Sequence, residues 1–347
     1  MSKMMKAMVL DAVNEELVLK DLPMPEPQAG EVRIKVKANG ICYTDIKIQK
    51  GLLPGGKTPV VMGHEIAGVV DELGAGVTEF AVGDRVAVYS YNTCGECYYC
   101  KQGLPFLCED LKGQAGLSIN GGYEEYMVWP SSGLVRIPDN LSFEAAAVTT
   151  DAVSTGYHAL CERISLKEGD SILIMGVGGL GINAVQIAKA RGAMVIAADI
   201  DDQKLEMAKS CGADYVFNTK NVNLPDECRK VTNGRGVTYS AEFVGSTLTT
   251  ELAFKCLAEG GTQVQPGYYP GHSFQVDFMD LVKGERSIIA SRACTKDSLQ
   301  GAMDLVASGK VEPQIDPTAI FSLENANEAL ARLQAGKVIG RAVIKYD

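Results

Sequence analysis

Over the first ninety residues the apolar positions fall in short alternating or β-branched runs, at residues 7–10, 17–20, 31–38, 66–73 and 84–88. A period of two with β-branched enrichment predicts half-buried strands. A Pro-rich stretch at 22–30 and a Gly/Pro stretch at 54–59 separate the runs as loops, so the pattern predicts an all-β start from residue 6 to about 88. Near residue 150 the texture changes. Apolar runs at 171–175, 194–198, 215–217, 239–244 and 261–264 alternate with amphipathic segments, among them helices reaching residues 190 and 210. Alternating strands and helices predict an α/β fold with a doubly wound parallel sheet. Helical patterns at 296–308 and 323–335 and a closing strand at 340–345 follow, and no repeat or low-complexity tract interrupts the chain.

Charge and composition narrow the function classes. With 33 Lys and Arg against 43 Asp and Glu, the net charge of −10 disfavours nucleic acid as a partner. The longest apolar stretch, residues 172–188, is broken by four glycines, Asn183 and Gln186, so no membrane span is expected. Residues 1–6 carry some positive charge but lead into no apolar core of signal-peptide length. Ten cysteines in 347 residues are too sparse for a disulfide scaffold, and four of them crowd between 94 and 108. That crowding points to metal in a reducing, cytoplasmic compartment. Of the other six, those at 161, 211, 228, 256 and 294 read as small apolar packing residues.

Residues 171–175 run into Gly176-Val-Gly178-Gly179-Leu180-Gly181 and then a helical pattern, the context a G-x-G-x-x-G dinucleotide turn requires. Such glycines permit a tight turn, backbone approach to a pyrophosphate and close helix packing, while the helix N-terminus favours the anion. The next strand ends in Asp199, 18 residues past Gly181, where a carboxylate can accept from the adenosine ribose 2′-hydroxyl and repel a 2′-phosphate. NAD(H) is therefore favoured over NADP(H). A helix N-cap is the alternative role for Asp199.

Cys94-x2-Cys97-x2-Cys100-x7-Cys108 offers four thiols within fifteen residues, and Gly95 and Gly103 let the loop wrap a single ion. Four thiolates suit tetrahedral zinc with no open position, a structural site. An iron–sulfur cluster can use four thiolates as well, although no other redox signal accompanies these.

With Cys42, Gly63-His64-Glu65-Ile-Ala-Gly68, the four-cysteine loop and the glycine turn in one order, the chain resembles the zinc-dependent medium-chain alcohol dehydrogenases over essentially its whole length. The resemblance implies a GroES-like β-rich catalytic domain, residues 1–152 and 292–347, and a Rossmann NAD-binding domain, residues 153–291, with the active site in the cleft between them. It further implies a catalytic zinc held by Cys42, His64 and Asp151, where Asp151 occupies a position that many members fill with cysteine. Glu65 resembles an exchanging or supporting carboxylate. Asp45 matches a structural acid near the metal, and Thr44 matches the hydroxyl that first relays the substrate proton. Thr155, Leu180 and Val244 are implied as cofactor contacts, and Arg341 as a pyrophosphate contact with a surface ion pair as its alternative.

Two positions depart from the family pattern. Lys47 stands where many relatives carry a relay histidine, either to pass the proton onward or as an ordinary surface lysine, and Tyr43 where a basic residue often meets the pyrophosphate. Leu52, Tyr89, Ser90, Tyr91 and Leu117 suggest a medium-sized, mixed pocket suited to secondary, cyclic or medium-chain alcohols and their carbonyl partners. A polyol or hydroxyacyl-CoA dehydrogenase and a non-catalytic dinucleotide-binding protein are the competing functions, and a zinc-free quinone reductase would lack the metal ligands. The chain length resembles that of the family's homotetramers, with a dimer as the alternative, and assembly is expected through the Rossmann edge strand.

Overall fold

The computed structural model describes residues 3–347, so Met1 and Ser2, the start of the basic N-terminal stretch, lie outside the described residues. The chain forms two compact units. The first runs through Asp151 and takes up Thr295–Ala307 and Ile315–Asp347; the second comprises Ala152–Cys294 and Ser308–Gln314. The segment Ser308–Gln314 goes with the second unit because Gln186 clasps it: its Nε2 donates to Glu312 O at 2.8 Å and its Oε1 accepts from Glu312 N at 2.9 Å. Among the described residues no helix is long and apolar enough to cross a membrane.

The first unit is β-rich. Its largest sheet is ordered Leu134–Arg136, Arg85–Val88, Glu65–Leu73, Glu31–Ile41, Arg341–Lys345, Ile315–Phe321, with Tyr126–Pro130 also paired to Glu31–Ile41. Along Glu31–Ile41 the side chains alternate, so Val32, Ile34 and Val36 are fully buried against Ile66, Val70, Val86 and Trp129. Each such aliphatic side chain contributes about 1.5–3 kcal/mol by leaving water. The all-β start needs a correction: a helix, Tyr43–Gln49, follows the long strand. Asp45, Ile46, Lys47 and Ile48 are buried in succession, which hides the helical period from the hydrophobic pattern.

The second unit is a six-stranded parallel sheet. We label its strands β1 (Ser171–Met175), β2 (Met194–Asp199), β3 (Tyr215–Asn218), β4 (Val237–Glu242), β5 (Leu257–Gln265) and β6 (Ser287–Ala290). Their order is β3-β2-β1-β4-β5-β6, the doubly wound arrangement, whose strand order reverses between β1 and β4. Leu173, Met175, Ile196, Ala198, Phe254 and Leu257 form its core. At such a reversal the helices leave a crevice beyond the carboxyl ends of the strands, and ligands bind there.

Candidate metal and cofactor sites

Four side chains from three separated stretches converge in the first unit. Cys42 caps the helix Tyr43–Gln49, His64 immediately precedes the strand Glu65–Leu73 that Glu65 opens, and Asp151 lies in a π-helical turn, Thr149–Val153. Such turns aim a side chain out of helical register and recur at functional sites. One ligand atom from each of Cys42, His64, Glu65 and Asp151 lies within 4.8 Å of the others. The first three are buried and Asp151 is half-buried.

Behind them a hydrogen-bonded frame fixes the geometry. Asp45 Oδ2 accepts from Cys42 N at 2.8 Å and from Tyr123 Oη at 3.1 Å, while Asp45 Oδ1 lies 3.0 Å from His64 Nδ1. With Nδ1 facing Asp45, Nε2 is the nitrogen left to ligate an ion, an arrangement that also raises ligand basicity. Burial works against a charged imidazole, but the Asp45 carboxylate and the Cys42 sulfur outweigh it and hold His64 well above its ordinary range. Tyr123 gave no signal in the sequence, where it reads as one more core aromatic.

Arg341, 3% exposed, joins two of the carboxylates. Its Nε donates to Glu65 Oε2 at 3.1 Å, and its Nη2 donates to Glu65 Oε1 and, at 2.7 Å, to Asp151 Oδ2. Burial pushes the Glu65 carboxyl up to about 8 against the pull of this guanidinium. Gly40 is part of the same construction, because a Cβ there would overlap Glu65 Oε2. The ion-pair alternative for Arg341 places it on the surface; in the structure the pairs are formed in the interior. Lys47 is buried, and desolvation lowers its ammonium below the ordinary value against the opposing charges of Cys42 and Asp151. Thr44 is half-buried on the first turn of the same helix.

The four-cysteine loop is a second cluster, with the sulfurs of Cys94, Cys97, Cys100 and Cys108 also within 4.8 Å of one another. All ten cysteines are free thiols. Backbone N–H groups converge on the sulfurs: Cys94 N on Cys108 Sγ at 3.3 Å, Cys97 N on Cys94 Sγ at 3.3 Å and Glu109 N on Cys97 Sγ at 3.5 Å. Such donors favour thiolates: the Cys100 amide first and then that of Glu109 bring Cys97 down to about 6, while desolvation first, with neighbouring thiols, takes Cys100 up to about 12. Four soft donors at one point, backed by N–H groups, fit a tetrahedral zinc. The Cys42, His64, Glu65 and Asp151 set fits the same ion with mixed S, N and O donors.

In the second unit three glycines of the turn have separate tasks. Gly176 has φ +84° and a Cβ on it would overlap the Val244 side chain; a Cβ on Gly181 would collide with the Gly176 carbonyl; Gly178 faces open space. The backbone at Gly178 is thus accessible to a pyrophosphate, and Leu180 N-caps the helix Gly181–Ala190 that follows. Gly179 O accepts from Asn183 Nδ2 at 2.8 Å. Asp199 Oδ2 accepts from Val177 N at 2.9 Å and Oδ1 from Ile200 N at 2.7 Å, which orients the carboxylate. The N-cap role belongs to Asp201, which accepts from Gln203 N and Lys204 N. Thr155 is buried in the short helix Ser154–Tyr157, and Val244 is exposed over Gly176. Tyr89 and Tyr91, expected in the substrate pocket, are buried, their ring centroids 5.6 Å apart.

Two family models match the chain: the alcohol dehydrogenase GroES-like domain over residues 28–139 and the zinc-binding dehydrogenase over residues 179–308. An alcohol dehydrogenase of Geobacillus stearothermophilus is 39% identical over 345 residues, 99% of this chain and 100% of the relative. The chain belongs to the zinc-dependent medium-chain alcohol dehydrogenase family. Within the family, an NAD-dependent alcohol dehydrogenase of Sulfolobus acidocaldarius is 38% identical over 98% of this chain and 99% of its own. A crystal structure of an NAD-dependent alcohol dehydrogenase superposes with a TM-score of 0.93 at 33% identity, covering 99% of this chain and 100% of that one.

Proposed function

We propose that this family member is an NAD(H)-linked zinc alcohol dehydrogenase that interconverts a secondary, cyclic or medium-chain alcohol and its ketone or aldehyde. The convergence of Cys42, His64, Glu65 and Asp151 on one point carries this reading. When bound, a zinc ion supplies Lewis acidity toward the substrate oxygen and NAD supplies the hydride acceptor. Cys42, His64 and Asp151 would hold the ion, with Asp45 locking the His64 tautomer. Glu65 stays close enough to exchange with a ligand, and Arg341 balances its charge together with that of Asp151. Resemblance also puts Arg341 at the cofactor pyrophosphate; the interior ion pairs make it first a counter-charge.

In this scheme Thr44 relays the alcohol proton, its hydroxyl accepting that proton as it gives up its own toward solvent. Lys47, its ammonium destabilised by burial, passes a proton onward where relatives use histidine. Gly176, Gly178, Gly179 and Gly181 cradle the pyrophosphate, Asp199 accepts from the ribose, and Thr155, Leu180 and Val244 line the dinucleotide. Cys94, Cys97, Cys100 and Cys108 would hold a second, structural zinc.

We also infer a homo-oligomer, a tetramer by resemblance. The sheet edge β6 has one neighbour, and beside it in sequence the helix Phe278–Lys283 leaves Phe278 80% and Val282 67% exposed. Ten free thiols suit a reducing, cytoplasmic setting.

Metal analysis of the purified protein, paired with an NAD-reduction screen over primary, secondary, cyclic and polyhydric alcohols and hydroxyacyl thioesters, tests the reading. Two zinc per chain and turnover of one alcohol class are expected. One zinc and no NAD reduction would instead favour a dinucleotide-binding protein without catalysis.

A further inference from the structure

Glu242 is the last residue of β4, in register with Met175, the last residue of β1 and the neighbour of Gly176. It therefore stands at the reversal of strand order, where a doubly wound sheet receives its ligand. The residue is fully buried, yet its carboxylate is surrounded by donors. Val244 N and Gly245 N donate to Oε1 at 2.9 and 3.0 Å, and Thr249 Oγ1 donates to it at 2.8 Å. Gly245 N also reaches Oε2 at 2.8 Å, as does Gln265 Nε2 at 2.5 Å. The same Gln265 nitrogen donates to Gly267 O at 2.8 Å, and Gly267 N donates to Glu242 O at 2.8 Å.

These bonds join two turns that share no strand. One, residues 243–246, leaves β4 and carries Val244 onto Gly176; the other, residues 266–268, leaves β5. Their approach is close: a Cβ on Gly245 would overlap the Tyr268 backbone, and one on Gly267 would come within 2.7 Å of Glu242 Oε2. Four uncharged donor groups on two carboxylate oxygens leave little acceptor capacity over, so the group satisfies its neighbours rather than reaching toward a ligand. Burial raises the carboxyl and these four donors pull it back. A buried acid that contacts no reacting atom and fastens two turns at the cofactor end of the sheet is a device for holding those turns in place.

We propose that Glu242 is a positioning residue for dinucleotide binding, its carboxylate pinning the turns at 243–246 and 266–268 in the conformation that receives the cofactor. The proposal rests on the NAD reading above. Glu242→Gln keeps the shape but aims an amide N–H at a backbone N–H or at Gln265, whichever way the amide is turned. Loss of a hydrogen bond to a charged acceptor predicts NADH binding weakened about tenfold and the KM for NAD raised to match, with kcat at saturating NAD within about twofold. Hydrogen exchange in the cofactor-free protein should quicken at residues 243–247 and 266–268 and stay unchanged around the two cysteine-containing clusters. Thr249→Val, which removes one donor from a neighbouring helix, should weaken NADH binding about threefold.

A folded Glu242→Gln protein that binds NADH as wild type does overturns the proposal, whether or not exchange has changed. If Glu242→Gln does not fold, Thr249→Val decides by itself, and unchanged NADH affinity overturns the pin. Wild-type protein that fails to bind NADH would sink the cofactor reading instead, a result the exchange pattern of the cofactor-free protein keeps separate from the pin.

Discussion

The two metal-capable clusters differ in how the chain builds them. The four cysteines lie within fifteen residues of one another, are half-buried and offer sulfur alone, with backbone N–H groups supporting the thiolates. The Cys42, His64, Glu65 and Asp151 set draws on residues more than a hundred positions apart, is mostly interior, mixes three donor elements and needs a guanidinium to balance its carboxylates. A local, all-thiolate cage saturates an ion and can only hold a loop together. A mixed set gathered from a strand start, a helix cap and a π-helical turn leaves room for exchange, and chemistry requires exchange.

Replacing one ligand in each cluster should therefore fail in opposite ways. His64→Ala should lower turnover by about a thousandfold, the loss of Lewis-acid stabilisation of a few kcal/mol, while the cysteine loop keeps its metal. Cys94→Ser should instead lower the melting temperature by about 10 °C and release one metal equivalent, because metal affinity in a structural cage is folding energy. Calorimetry and metal content on both variants check this. A Cys94→Ser protein with wild-type melting would mean that the loop is not stapled by an ion.

Smaller effects separate proton handling from metal holding. Thr44→Ala should reduce kcat about a hundredfold with both metals retained, the usual contribution of a positioned proton relay. An unchanged rate would remove Thr44 from the relay. Asp199→Ala should shift the NAD-to-NADP preference by about tenfold toward NADP, as the loss of one charge-assisted hydrogen bond implies. An unchanged ratio would end its ribose role.

How far each site is legible in the sequence follows from the same contrast. The cysteine loop and the glycine turn can be read directly, since their ligand atoms and turn geometry lie within one short segment. Residues 42, 64, 65 and 151 are recognisable only through resemblance, because nothing local says that a strand, a helix cap and a π-helical turn will meet. The strand Ile315–Phe321 escaped the pattern: it carries Pro317 and its burial does not alternate cleanly. Tyr123 and Glu242 escaped for a different reason. Their importance lies in which hydrogen bonds they complete, and a sequence records only that they are a buried aromatic and an acid at a strand end.

The finest test uses the contrast with Glu65, which Arg341 pairs, since the first unit also holds a buried carboxyl with no guanidinium bonded to it. Glu124 is buried, and its Oε2 has no hydrogen-bond partner among the described residues. Burial alone raises it well above the ordinary carboxyl range. The folded protein thus binds this proton more tightly than the unfolded chain does. Between the unfolded carboxyl value, about 4.3, and the raised folded value, the native state carries more protons, so the slope of stability against pH is negative and at most about 1.4 kcal/mol per pH unit. The stabilisation is complete below the unfolded value and is lost as pH rises. Glu124→Gln removes the titration while keeping the shape. Its melting temperature should match wild type near pH 4 and exceed it by a margin that widens toward pH 8, whereas parallel melting curves over that range would show that Glu124 is neutralised by a partner after all.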